Sequence, residues 1–186
     1  AGHRRAEHAR TRAAAGQPRR QPHRRRRADP LRTDGPGRRS RQLAAAGRKG
    51  SIRLWNVASG KALRDLEAHR RRVCALAYSP DGKQLASAGE ERNVRFWDTA
   101  SGEPSGSLPS RPGRILALQY CGPKRLAVGG TDNTIRIWEL GSESENCRLV
   151  GHTGSITALA WNPERGVLVS GSFDTTVRMW HLPKGN

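Results

Sequence analysis

The chain has 186 residues, and its 34 Lys and Arg against 16 Asp and Glu give a formal net charge of +18. That length holds one sizeable domain, or a domain plus a tail. No run approaches the ~18 apolar residues of a membrane span, and no apolar stretch marks a secretory signal near the N-terminus. Three widely spaced cysteines, Cys74, Cys121 and Cys147, offer neither a disulfide framework nor a zinc site. They fit reduced thiols in an intracellular protein, cytoplasmic in the simplest reading and nuclear as the alternative in a eukaryote.

The charge is unevenly placed. Residues 1–41 contain 14 Arg and only three acids, Glu7, Asp29 and Asp34, a net of +11. They contain no aromatic residue, no Val or Ile, and a single Leu31. Such a segment buries too little apolar surface to offset its conformational entropy, so 1–41 is expected to be a disordered basic tail. It is suited to phosphate contacts without base stacking, which leaves nucleic acid as a partner through 1–41 only. Arg, Ala, Gly, Pro and His are also what GC-rich codons yield when read out of frame.

At Gln42 the composition changes, and residues 42–186 read as a second region. One phrase is written four times: LAAAGRKGSIRLWN (43–56), LASAGEERNVRFWD (85–98), LAVGGTDNTIRIWE (126–139) and LVSGSFDTTVRMWH (168–181). Its tryptophans, Trp55, Trp97, Trp138 and Trp180, are spaced by 42, 41 and 42 residues. A second phrase precedes the last three: VCALAYSPDG, ILALQYCGPK and ITALAWNPER. In the second unit the spacing predicts strands at 62–66, 73–78, 84–88 and 94–97, separated by turns such as Pro80-Asp81-Gly82. Short strands at a period near 42, with no 3.6-residue periodicity, predict an all-β propeller-type repeat of about three and a half four-stranded blades. A buried indole also needs a partner for its N–H, so a polar residue should accompany each Trp.

These residues resemble the WD-repeat β-propellers, named for the Trp-Asp that closes each repeat. Trp97-Asp98 matches that pair literally, and Gly151-His152 matches the family's Gly-His opening, with Ala68-His69 a near match. The resemblance implies a hydrogen-bonded chain from a turn Asp through the histidine and a Ser/Thr to the Trp. The fourth unit holds the full set: Asp174, His152, Ser170 and Trp180. The second holds His69, Ser87 and Trp97, with Glu91 in place of Asp. The third keeps Asp132 and Trp138, with Arg111 and Val128 in the other two places. The first offers only Trp55, with Lys49 and Ala45 where Asp and Ser belong.

Ser170, His152 and Asp174 are the residue types of a proton shuttle, but a set repeated from unit to unit is what structure needs, whereas catalysis needs one site. No phosphate loop, metal-ligand cluster or nucleophile elbow accompanies them, so no catalytic residue, cofactor or metal is expected. The resemblance implies a rigid platform for protein–protein contacts, and places Arg48, Glu90, Thr131 and Phe173 on the face where relatives engage partners. A scaffold binding an unidentified protein partner is therefore the leading expectation. The alternatives are a nucleic-acid-associated protein tethered by its tail, or the docking region of a longer enzyme such as a kinase fusion. So few blades cannot close a ring, and an open arc leaves two apolar faces. The chain is thus expected to be a fragment of a larger propeller, or an arc that self-associates through its open faces.

Overall fold

A computed structural model of the chain describes residues 31–34, 42–110, 112–141 and 144–182. Fifteen strands and no helix occur among them, and so no helix long and apolar enough to cross a membrane. They form four antiparallel sheets. The first contains β1 (Leu31–Asp34), β2 (Gln42–Ala46), β3 (Ile52–Asn56) and β4 (Ala62–Leu66). The second contains β5 (Val73–Tyr78), β6 (Gln84–Gly89), β7 (Val94–Asp98) and β8 (Pro104–Leu108). The third contains β9 (Ile115–Tyr120), β10 (Arg125–Gly130), β11 (Thr134–Glu139) and β12 (Ser144–Val150). The fourth has three strands, β13 (Ile156–Asn162), β14 (Val167–Ser172) and β15 (Val177–His181). In every sheet, strands adjacent in sequence are adjacent in space.

Two features depart from the sequence reading. Leu31–Asp34 lies within the segment expected to be disordered, yet it pairs with β2 from Leu31↔Ala46 to Asp34↔Leu43. An unpaired edge of β2 offers a row of backbone donors and acceptors, and such an edge templates a strand of poor intrinsic propensity. The rest of 1–41 lies outside the described residues. The repeat is also out of phase with the sheet. Ala62–Leu66 begins the second sequence unit but forms the fourth strand of the first sheet, on β3. Each sequence unit therefore straddles two sheets.

The alternation of the strands decides how sheets stack. Ala44, Ala46, Ile52 and Leu54 leave the first sheet on one face and pack against Val73, Tyr78, Leu85 and Trp97 of the second. The second sheet's other face, with Ala86, Ala88, Val94 and Phe96, packs against Ile115, Leu126, Val128 and Trp138 of the third. The third repeats the arrangement through Ala127, Ile135 and Ile137, packed on Ile156, Leu168 and Trp180. Each joint therefore pairs an aliphatic face with the next sheet's Trp-bearing face. Both faces of the inner sheets are dry, and this accounts for near-continuous apolar strands such as Gln84–Gly89.

The tryptophans mark a repeated irregularity. Register between the third and fourth strands of a sheet shifts at Leu54/Trp55, Phe96/Trp97 and Ile137/Trp138. The bulge skips one residue of the outer strand, and each Trp pairs beyond it, with Ala62, Pro104 and Glu145. The hairpins between second and third strands repeat as well, each with a left-handed residue: Gly50 (φ 82°), Arg92 (φ 67°), Asn133 (φ 59°) and Thr175 (φ 65°).

Candidate functional site

In the fourth sheet, β14 and β15 place Ser170 opposite Arg178, two pairs from Leu168↔Trp180 and on the same face. Trp180 Nε1 donates to Ser170 Oγ at 2.8 Å, and Ser170 Oγ lies 2.8 Å from His152 Nε2. His152 Nδ1 lies 2.7 Å from Asp174 Oδ2. An ionised carboxylate only accepts, so Nδ1 carries the proton and donates. In that tautomer Nε2 accepts from the serine hydroxyl, and every donor along the chain meets an acceptor. Asp174 also accepts from the Thr153 backbone N–H at 3.0 Å, the Thr176 N–H at 2.9 Å and the Thr176 hydroxyl at 2.7 Å. The Thr176 hydroxyl foremost, aided by His152 and the two N–H groups against the opposing effect of burial, holds the Asp174 carboxyl well below the usual carboxylate range.

The second sheet builds the same chain as far as its histidine. Trp97 Nε1 donates to Ser87 Oγ at 2.9 Å, and His69 Nε2 lies 2.9 Å from the same oxygen. Glu91 then differs from Asp174. Its extra methylene carries Oε1 past the ring to the backbone N–H groups of Arg70 (2.5 Å) and Arg71 (3.0 Å), while Oε2 stops 3.4 Å from His69 Nδ1. That contact is an ion-pair distance without a hydrogen bond. Burial lowers the His69 pKa, and Glu91 only partly offsets it. Gly89 makes room for the pair: a Cβ there would stand 2.2 Å from Glu91 Oε2 and 2.5 Å from His69 Nδ1.

The third sheet takes a different course. Asp132 pairs with Arg136 of its own hairpin, and Arg136 Nε lies 3.4 Å from Glu145 on β12. Trp138 is buried beside Val128, which occupies the serine's place. Arg111, in the histidine's place, lies outside the described residues. Asp132 and Trp138 are thus six residues apart in one hairpin, but Asp132 is held by an arginine. Alternation puts Arg136 on the same strand face as Trp138, and its head group is held by Asp132. Its position two residues before Trp is filled by Arg in all four units, a signal that was present. In the first sheet Arg53 occupies that position, with its Cζ 5.8 Å from the centroid of the Trp55 ring and a bidentate bond to Asp65.

The four residues expected at a partner face occupy equivalent hairpins, tied along one rim by backbone bonds. His69 N–H donates to Gly50 O, Glu90 N–H to Arg72 O, Thr131 N–H to Arg114 O and Phe173 N–H to Ser155 O. Arg48 is exposed, and Glu90 bonds Arg114 Nη2 at 3.0 Å. Thr131 Oγ1 accepts from the Arg114 N–H at 2.9 Å. Phe173 is 74% exposed, although its hairpin is held on both sides by Ser172 and Asp174.

The family model described as "WD domain, G-beta repeat" matches residues 60–98, 102–139 and 144–181. The chain belongs to the WD40 family. Each match opens at the outer strand of one sheet and closes on the Trp strand of the next, the same offset as in the fold. Among solved structures the chain is similar to "Structure of U3-55K", with 25% identity and a TM-score of 0.71, and to "Crystal structure of RRP9 WD40 repeats", with 26% identity and a TM-score of 0.71. Each match covers 77% of this chain and 46% of the other, so the chain spans about half the length of these WD40 structures. No curated protein sequence matches it.

Proposed function

We propose that this WD40 chain is a non-catalytic scaffold that presents the hairpin rim carrying Arg48, Glu90, Thr131 and Phe173 to a protein partner. The observation carrying this reading is Phe173, an aromatic ring standing in solvent on a hairpin whose backbone is fixed by Asp174 and Ser172. An exposed aromatic on a rigid support loses little entropy when a partner covers it. In this reading the Ser170–His152–Asp174 and Ser87–His69–Glu91 chains hold hairpins in place. Ser170 is 1% exposed and its oxygen already accepts from Trp180, which leaves no path for a substrate carbonyl. The three unpaired cysteines support an intracellular setting.

The test is a photo-crosslinking residue placed at 173 in the full chain, with the same residue at Val57 on the opposite ends of the sheets as control. Protein adducts should form at 173 and disappear in competition with unlabelled chain, but not with unlabelled Phe173→Ala chain. Equal labelling from 57, or competition by Phe173→Ala, overturns the assignment. A second reading rests on the 14 arginines of residues 1–41: attachment to nucleic acid through phosphates. Filter binding at physiological salt with and without 1–41 tests it, and retention that survives the deletion removes the tail from the account.

A further inference from the structure

Three segments meet on the hairpin rim above the joint between the first and second sheets. The β2–β3 hairpin supplies Arg48 and Lys49, the loop between β4 and β5 supplies Arg70, Arg71 and Arg72, and the β6–β7 hairpin adds Arg92. Backbone bonds stitch them together. Val73 N–H donates to Gly47 O at 3.3 Å, His69 N–H to Gly50 O at 2.9 Å, and Glu90 N–H to Arg72 O at 3.0 Å. The approach is close, since a Cβ on Gly50 would stand 1.9 Å from His69 O and 2.8 Å from Arg71 O. All six cationic residues are exposed. Among the described residues, no side-chain hydrogen bond or ion pair holds any of their heads.

The fold does not require these charges. In the fourth sheet the equivalent loop makes the same backbone bonds with Thr153, Gly154 and Ser155, 83 residues after Arg70, Arg71 and Arg72. Thr153 N–H reaches Asp174 as Arg70 N–H reaches Glu91. Ser155 O receives Phe173 N–H as Arg72 O receives Glu90 N–H. The neighbouring acids are also committed elsewhere. Glu91 Oε1 takes the backbone N–H groups of Arg70 and Arg71 at 2.5 and 3.0 Å, and Glu90 takes Arg114 Nη2 at 3.0 Å. Like charges held on tethered segments repel one another, a cost that an anionic ligand relieves.

We infer that this basic patch seats a run of Asp and Glu residues in the protein partner; the inference rests on the reading of the rim as a partner face. Arginine heads pair with carboxylates through two parallel bonds. Cations spread over three segments suit several single charges in a row better than one phosphate dianion. No aromatic residue lies on these segments to stack a base. Past Arg114 the hairpins 131–133 and 173–175 and the loop 151–155 contain no Lys or Arg, and they contain Asp132 and Asp174. A nucleic-acid strand following the rim would meet those acids, so the patch fits a short acidic segment. Residues 1–41, with 14 Arg and three acids, offer no such run.

Fluorescence anisotropy on the full chain at physiological salt, with a labelled deca-glutamate peptide, tests the inference. One variant combines Arg70→Ser, Arg71→Ser and Arg72→Ser. A charge-matched control combines Lys61→Ser, Lys83→Ser and Lys124→Ser, three exposed cations on turns at the opposite ends of the sheets. Each exposed ion pair contributes a few-fold, so the loop variant should bind the peptide about tenfold more weakly. The control and Phe173→Ala should both stay within about twofold of wild type. A labelled deca-uridine RNA should lose less than about twofold in the loop variant, because residues 1–41 remain to hold its phosphates. The inference is overturned by a wild type that does not bind the peptide, by equal losses in loop variant and control, or by an RNA loss matching the peptide's. Displacement of the peptide by inorganic phosphate beyond that by sodium chloride at equal ionic strength overturns it too. Crosslinked adducts at 173 without peptide binding would remove the acidic segment and leave the rim as the partner face. Circular dichroism checks that each variant keeps its β-structure. Independently of any variant, phenylglyoxal modification of Arg70, Arg71 and Arg72, read by peptide mass, should slow several-fold when the peptide is present; an unchanged rate would refute the seating.

Discussion

Ser170→Ala removes one oxygen that two neighbours share. Its loss leaves the Trp180 N–H without its acceptor and His152 Nε2 without its donor, both from 2.8 Å bonds. A buried polar group left unsatisfied costs about 1–3 kcal/mol. His152 is 6% exposed and incurs most of that, whereas Trp180 is half-buried and recovers part from water. The expected loss is therefore about 2–4 kcal/mol, well above the few tenths that a removed exposed hydroxyl costs. Urea unfolding at one fixed protein concentration measures it, since association would otherwise add its own concentration dependence. Pairing the change with Trp180→Phe sharpens the test, because a phenyl ring needs no acceptor. The double variant should lose at least about 1 kcal/mol less than the sum of the single ones. A loss below about 0.5 kcal/mol for Ser170→Ala, or strict additivity, would show that the polar chain does not hold the hairpin.

Thr175 adopts φ 65°, a conformation that costs a side-chain-bearing residue about 1–2 kcal/mol and suits a β-branched one least. Thr175→Asn should raise stability by about 0.5–1 kcal/mol in the same urea assay, and a decrease would mean the threonine makes a compensating contact. Gly89→Ala puts a methyl onto the His69–Glu91 pair and should cost about 1–3 kcal/mol, with enhanced amide exchange in β6; exchange unchanged from wild type would count against the contact. The Asp174 carboxyl is depressed in the folded chain, so its stabilising contribution is complete above the unfolded value near 4 and falls away as the pH drops below it. Wild type should accordingly lose stability more steeply than Asp174→Asn on going from pH 5 to pH 2, and parallel curves would rule out that linkage.

The period of the tryptophans made the architecture legible, because stacking sheets requires the same indole-bearing strand at each turn of the pattern. The second unit's last two strands were expected at 84–88 and 94–97 and occur at Gln84–Gly89 and Val94–Asp98. What the sequence could not carry was partner choice. Ala62–Leu66 reads as the start of a unit, but an outer strand pairs wherever an edge is open, and the nearest edge belongs to the sheet before. Leu31–Asp34 has the composition of a tail, and only the edge of β2 gives it a place. Glu91 and Asp132 show the same limit at the level of side chains. One extra methylene diverts Glu91 to loop N–H groups, and an arginine four residues on captures Asp132. The left-handed position was visible at Gly50 and Asn133, residues that tolerate it, and hidden at Arg92 and Thr175, where the hairpin imposes it.

The offset between phrase and sheet bears on how such a molecule can change its size. A segment from Gly60 to Asp98 supplies the outer strand of one sheet and the three inner strands of the next. Copying that segment in tandem, or deleting it, would leave every remaining sheet with the number of strands it has now, since each outer strand is lent back to the sheet before in the same way. Recombination can then lengthen or shorten the array in whole steps without stranding an edge at the seam.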